Sequence, residues 1–209
     1  MRYPKDHKQK IRERLLEDTA RHVKQHGFAG SGVDAIAAAA GVTSGALYKH
    51  FAAKSDLLAE VVAMELERTA DRFAAVPAGD RDAARRALAA YLSLAHVQRA
   101  DAGCPLPALT PEIARADATV RQAFQLGLAD VHAQVEKMTG SSTAAWALIA
   151  QCVGAVMLAR AMPDEATERR AVLDAVACAG SALLATPASR PDEARRAPRI
   201  RTRHTTREQ

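Results

Sequence analysis

Two stretches without a single proline, 5–76 and 112–162, set the terms for this chain. Proline removes a backbone donor and clashes with the preceding turn, so its absence over such lengths permits long helices. Nearly a quarter of the 209 residues are alanine, joined by many Leu, Arg and Glu, all good helix formers. No segment alternates β-branched and polar residues as a half-buried strand would. The chain is therefore expected to be all-α.

Hydrophobic periodicity and breakers divide it. Ile11, Leu15, Thr19 and Val23 recur every four residues, with Leu16 and Ala20 beside them, predicting a first helix over 8–26 with one buried stripe. Gly27 stops it, and a Gly-rich turn over 27–32 leads to a short helix over 33–40 that Gly41 ends. A second short helix starts at Thr43 or Ser44 and reaches Phe51. A long amphipathic helix follows over 54–75, with Leu57, Leu58, Val61, Val62, Leu66 and Phe73 inward. Helices are expected further on near 80–101, 111–117, 119–139, 143–162 and 165–185, separated by Gly103-Cys104-Pro105, Gly140-Ser141-Ser142 and Met162-Pro163-Asp164. The last stretch, 187–209, has three prolines, seven arginines and almost no apolar residues, and reads as a basic disordered tail.

Composition narrows the function classes. With 48% hydrophobic and 25% charged residues this is the mix of a globular chain. No apolar run is read as reaching the ~20 residues that span a bilayer, and the charged start MRYPKDHKQK is no secretory signal, so a cytoplasmic protein without a membrane partner is expected. Three widely spaced cysteines, Cys104, Cys152 and Cys178, form neither a disulfide framework nor a metal set, and no cofactor or metal is expected. There is no Gly-rich phosphate loop, no HExxH and no GxSxG, so the chain is not read as an enzyme. Charge is uneven: residues 1–54 carry 10 Lys/Arg against 5 Asp/Glu, residues 55–189 carry 12 against 16, and residues 190–209 carry 7 against 3, giving the overall +5. A basic head and tail around an acidic body suit a chain whose head meets a polyanion.

The stretch VDAIAAAAGVTSGALYKHF, 33–51, has the form of a helix-turn-helix. Gly41 supplies the left-handed residue of the turn, and Ala37 is small enough for the two helices to approach. Ile36, Ala40, Val42, Leu47 and Phe51 make the small core, and Thr43 can cap the second helix. Small and polar residues are left on the outer side of a helix that fits a major groove ~12 Å wide.

Extended to HGFAGSGVDAIAAAAGVTSGALYKHFAAKSDLL, the segment resembles the DNA-binding domain of the TetR/AcrR-type bacterial repressors. The likeness runs from about Ala20 to Val62, through Gly27-Phe28, Ile36-Ala37, Ala40-Gly41-Val42, Gly45, Leu47-Tyr48, His50-Phe51, Lys54 and Leu57-Leu58. It implies an N-terminal three-helix helix-turn-helix domain, 1–54, on a helical effector-binding and dimerisation body of about six helices, 55–186. It also implies phosphate contacts from Tyr48, His50 and Lys54, with a further one from Ser31 or Gly32, and base contacts from Thr43, Ser44, Gly45, Ala46 and Lys49. The second helix of the motif has neither Arg nor Gln, so operator shape carries part of the specificity. Ala53 stands where many relatives have a capping Ser or Asn; Ser55 offers a later start to the next helix.

By the same resemblance the partners are a palindromic double-stranded operator, a second copy of the chain and a small-molecule effector. The expected interface lies on the last two helices, through Trp146, Ile149, Ala150, Val153, Gly154 and Met157 and through Val172, Leu173, Val176, Ala179, Gly180 and Leu183. Candidate effector-pocket residues are Tyr91, His96, Gln98, Cys104, Phe124, His132, Trp146 and Gln151. Cys104, between Gly103 and Pro105 where a helix can begin, is also a candidate thiol of lowered pKa for oxidant or electrophile sensing. An effector-independent DNA binder is the remaining alternative. Arg2, Lys5, Lys8, Lys10, Arg12 and Arg14 are candidate arms along the phosphates.

Overall fold

A computed structural model of the chain describes residues 5–185; Arg2 and the basic tail 187–209 lie outside the described residues. Ten helices and no strand occur among the described residues: α1 (Lys5–His26), α2 (Val33–Ala39), α3 (Ser44–Tyr48), α4 (Lys54–Ala74), α5 (Arg81–Tyr91), α6 (Leu94–Gln98), α7 (Leu106–Ile113), α8 (Ala118–Thr139), α9 (Ser142–Ala161) and α10 (Glu168–Ala185). The all-α expectation and the helix-turn-helix placement hold.

α1, α2 and α3 form the N-terminal unit, and α1 also packs along α4, with ion pairs from Arg12 to Glu60, Lys24 to Glu65 and Glu17 to Arg68. The body is built on α4 and α8, which lie side by side. Their closeness depends on Gly127, where a Cβ would come within 2.6 Å of the Leu66 Cβ. α9 packs on α8, and α10 closes against α9 and α5. The core runs unbroken from Leu15, Val23, Ile36 and Leu47 through Leu57, Val61 and Leu66 to Leu109, Val131, Val156 and Leu173.

Three sequence expectations change. The stretch 80–101 is two helices, because Ser93 caps α6 by accepting a hydrogen bond from the His96 amide (3.2 Å), and the chain turns at Leu92. The helix expected over 111–117 lies instead at Leu106–Ile113: Pro105 is its N-cap, Pro107 sits in its first turn, where a missing amide costs nothing, and Pro111 sits inside it. α9 is also long and apolar enough to cross a membrane by length and composition. It is nonetheless a core helix, with Ala145, Leu148, Cys152, Ala155, Val156 and Ala159 buried against its neighbours.

α4 starts at Lys54, so the missing serine cap at Ala53 does not delay it. Asp56, three residues on, accepts from the Ala53 amide (3.1 Å) and serves the helix start from inside.

Candidate nucleic-acid interface and interior cavity

α2 and α3 are positioned by their inner faces. Ile36, Ala37, Ala40, Leu47 and Phe51 are buried, and Val42 is half-buried against them. Gly41 holds φ +69°, the left-handed conformation that lets the chain reverse between the helices. The Thr43 hydroxyl accepts from the Ala46 amide (3.2 Å) and starts α3, keeping its own proton for another acceptor. Ser44 Oγ donates to Asp34 and ties α3 to α2.

What remains outward on α3 is Gly45, Tyr48 (49% exposed) and Lys49, with Ala46 and Ser44 half-covered. The Tyr48 phenol and the Lys49 ammonium thus stand free at the end of a short helix whose inner face is fixed. His50 is half-buried behind them, its Nδ1 sealed and without a partner. Burial lowers its pKa below the usual 6.5, and the nearby positive charges of Lys8 and Arg12 lower it further.

Two proposed phosphate contacts look different in the structure. Ser31 is buried and donates its hydroxyl to the Gly27 carbonyl (2.6 Å), so its side chain is spent inside the turn; Gly32 beside it is exposed. Lys54 Nζ donates to the carbonyls of Phe28 (2.9 Å) and Ser31 (2.6 Å), which leaves one of its three N–H groups for anything else. Arg12, a candidate arm, pairs with Glu60 of α4 (2.5 Å) and lies over the Phe51 ring. Lys8 and Lys10 are exposed.

The turn between α1 and α2 is gripped from the body. Gly27 holds φ +79°, and a Cβ there would lie 2.1 Å from the Glu112 carboxylate. Glu112, on α7, fills that space and accepts from the amides of Phe28 and Ala29 (2.8 Å for the latter). A second grip is the ion pair of Lys24 on α1 with Glu65 on α4 (2.6 Å), their side chains only 4% and 8% exposed. Lys24 also donates to the Gly103 carbonyl (3.2 Å) in the turn between α6 and α7. Sequence reading missed both, since the partners are 41 to 84 residues apart.

Two adjoining chambers lie in the body. The inner one, about 30 Å³, is entirely apolar apart from Thr69, Tyr91 and the thiols of Cys104 and Cys152; Phe73, Leu88, Val131, Val135, Met138, Leu148 and Ile149 complete most of its wall. The outer one, about 310 Å³, is lined by Arg72, Ala87, Ala90, His96, Ala102 and Gly103. Thr69, Phe73, Tyr91 and Cys104 belong to both and form the neck between them.

Three of the eight residues expected in a pocket are therefore at one: Tyr91, His96 and Cys104. Gln98 and Gln151 are exposed, and neither they nor Phe124 line either chamber. His132 and Trp146 stack on each other (ring centroids 4.3 Å apart) at the surface between α8 and α9, away from both chambers. The His132 Nε2 is met by Ser142 at the start of α9 (3.2 Å). Cys104 is also corrected. It lies just before α7, but complete burial pushes its thiol pKa up, outweighing the lowering influence of the Leu106 amide. Burial thus works against the candidate activated thiolate.

His96 turns out to be a clasp. Its Nδ1 contacts the Tyr91 carbonyl (2.6 Å), and its Nε2 accepts from the Cys104 amide (3.1 Å). Both ring nitrogens are thus engaged in the neutral form, and burial accordingly lowers its pKa. Among the described residues no group of His, Cys, Asp and Glu is placed to hold a metal ion.

Comparison with known proteins gives the site a context. Residues 15–61 match the model of the tetR family of bacterial regulatory proteins. The HTH-type transcriptional regulator AcrR of Shigella flexneri is 42% identical over 60 residues, 29% of this chain and 28% of that protein, so the match spans little more than a quarter of the curated relative. Among solved structures, E. coli NemR in its reduced form superposes with a TM-score of 0.70 at 22% identity, over 86% of this chain and all of that one. The transcriptional regulator SCO7518 of Streptomyces coelicolor superposes with a TM-score of 0.61 at 28% identity, over 84% and 99% of the two chains. A TetR-family regulator of Agrobacterium tumefaciens gives 0.67 at 18% identity, over 83% and 97%.

Proposed function

We propose that this chain, a TetR/AcrR-type transcriptional regulator by its N-terminal domain and its fold, is a ligand-responsive repressor that binds a palindromic operator as a homodimer. The observation that carries the DNA reading is α3: Leu47 anchors it from within while Gly45, Tyr48 and Lys49 stay uncovered on a basic N-terminal unit. Gly45 and Ala46 allow close approach to base edges, Lys49 reaches guanine or phosphate, and Tyr48, His50 and the amide of Gly32 serve the backbone. Residues 1–54 act as the DNA-binding unit and 55–186 as the effector and dimer body, in the cytoplasm.

One α3 makes too few contacts for a specific site, whereas a two-fold pair doubles them with half-sites ~34–36 Å apart. The pair is formed on α9 and α10. Trp146 and Met157 are 46% and 36% exposed, with Ala150 and Gly154 between them on the same face. Leu173 and Gly180, expected at that interface, are buried inside the monomer and belong to its own core.

The response to an effector runs through the two grips on the N-terminal unit. Gly103 and Cys104 line the outer chamber, and the Gly103 carbonyl holds Lys24 of α1. Leu106, at the start of α7, lines the inner chamber, and Glu112 near its end holds the α1–α2 turn. A ligand that moves the 103–106 turn changes both grips, and with them the separation of the two α3 helices; such a switch needs a differential affinity of a few kcal/mol.

Duplexes selected from a random pool by the purified chain should share an inverted repeat with half-site centres one helical turn, or a whole number of turns, apart. No preference over random competitor at moderate salt, or a strictly monomeric chain by sedimentation, refutes the proposal.

A further inference from the structure

On the reading that α3 enters the major groove of an operator, we propose that Asp34 of α2 is a specificity-determining residue of that complex. It takes up the Ser44 proton, so that Ser44 meets a base as an acceptor and selects an amino group, adenine N6 or cytosine N4.

A serine hydroxyl has one proton and two lone-pair positions. A free one pairs with a base donor or a base acceptor alike, and so discriminates little. Ser44 is not free. Its Oγ is hydrogen-bonded to the Asp34 carboxylate, ten residues earlier in the chain. An ionised carboxylate can only accept, so the proton in that bond belongs to the hydroxyl. What Ser44 keeps is acceptor capacity. Asp34 is exposed, and no cation pairs with it among the described residues. The spare positions of its carboxylate are acceptors as well. The corner between α2 and α3 thus offers acceptors alone. It suits the two amino groups of the major groove and opposes guanine O6 and N7 and thymine O4.

The neighbouring hydroxyl has the opposite polarity. Thr43 Oγ1 accepts from the Ala46 amide (3.2 Å), which leaves its proton for an acceptor on the DNA. Two adjacent hydroxyls at the start of one short helix are therefore not interchangeable readers. Gly45, next in the chain, lets a base come within reach of so short a side chain as Ser44. A Cβ added at Gly45 would meet nothing within 4 Å, so packing inside the monomer does not call for glycine there. Glycine weakens a helix relative to alanine. Close approach of an outside surface is the use that remains for the missing side chain.

Duplexes selected from a random pool by the full-length chain and by S44A, D34A and D34A/S44A test the assignment. Asp34 is exposed, so D34A is expected to fold. One position in each half-site should carry adenine or cytosine on the read strand about fivefold more often than guanine or thymine, the worth of one net hydrogen bond. S44A locates that position by losing the bias. D34A should lose the bias there and keep it elsewhere, and the double variant should match S44A at that position. With guanine or thymine placed there, D34A should bind about fivefold more tightly, relative to the selected duplex, than the parent does in fluorescence anisotropy. Loss of a merely structural contact gives no such gain. An unchanged bias in D34A, or a uniform loss of affinity whatever the base, overturns the inference alone. A parent chain that selects no repeat overturns it together with the DNA reading.

Discussion

Replacing Lys24 by Met removes one side of an ion pair that is almost wholly sealed from solvent. The Glu65 carboxylate would keep one neighbour, the Arg68 guanidinium at 3.5 Å, itself 44% exposed. The Gly103 carbonyl would lose its Lys24 donor. Stranding a buried charge in this way costs about 3–5 kcal/mol, and the residual Arg68 contact puts the value near the lower end, about 3 kcal/mol. For a chain of this length each kcal/mol lowers Tm by about 2–4 °C, so thermal unfolding should fall by about 10 °C. Urea unfolding should show a lower midpoint at unchanged slope. Removing both charges, K24M with E65L, should recover most of that loss, because the penalty lies in the unpaired charge and not in the absent pair. The double variant should also bind operator with a weakened response to effector, since the hook from α1 to the 103–106 turn is gone while the fold remains. A single-variant loss below about 1 kcal/mol, or a double variant as unstable as the sum of the singles, refutes the reasoning.

Gly27→Ala should destabilise by about 1–2 kcal/mol for the left-handed backbone alone, and more because the new Cβ displaces Glu112; E112A alone should leave Tm nearer the parent yet change operator affinity, measured by fluorescence anisotropy. His22, His50 and His96 all have folded pKa values below 6.5, so the unfolded chain binds more protons just below that pH; stability should rise with pH through the window beneath 6.5, and H96N should flatten the profile in urea titrations. A nearby phosphate favours the charged form of His50, so operator affinity should strengthen as pH falls from 8 to 6, and H50Q should lose that dependence. Met157→Arg places a charge on the outward face of α9 and should shift sedimentation towards the monomer while leaving the helical content unchanged.

The difference between what the sequence discloses and what it conceals follows from the range of the forces involved. Helix existence is local: the repeat of Leu15, Thr19 and Val23, the caps at Thr43 and Ser93 and the breaker at Gly41 act within a few residues, and α1 to α4 stand within a few residues of where those signals put them. The two places where helix positions moved are also local conflicts: Ser93 can cap or continue a helix, and Pro105, Pro107 and Pro111 each offer a start. Tyr91, His96 and Cys104 enter the expected pocket group by residue type alone; the break at Leu92 and the His96 ring that joins the three are visible only in the fold. The rest of the cavity wall comes from α4, α8 and α9, where Phe73, Val131 and Ile149 are indistinguishable in pattern from any core residue. The chemistry of Cys104 was misjudged for the same reason, because a helix start is visible in sequence and the burial that overrides it is not. The grips on the N-terminal unit are the extreme case. Nothing near Lys24 or Glu112 in the chain distinguishes them from surface charges, and only packing α1 against α4 and α7 removes the water that would have made their contacts worth little. In the proposed switch, coupling between the body and the N-terminal unit therefore resides in residues that only the fold identifies, and those are the positions where substitution should separate stability from response.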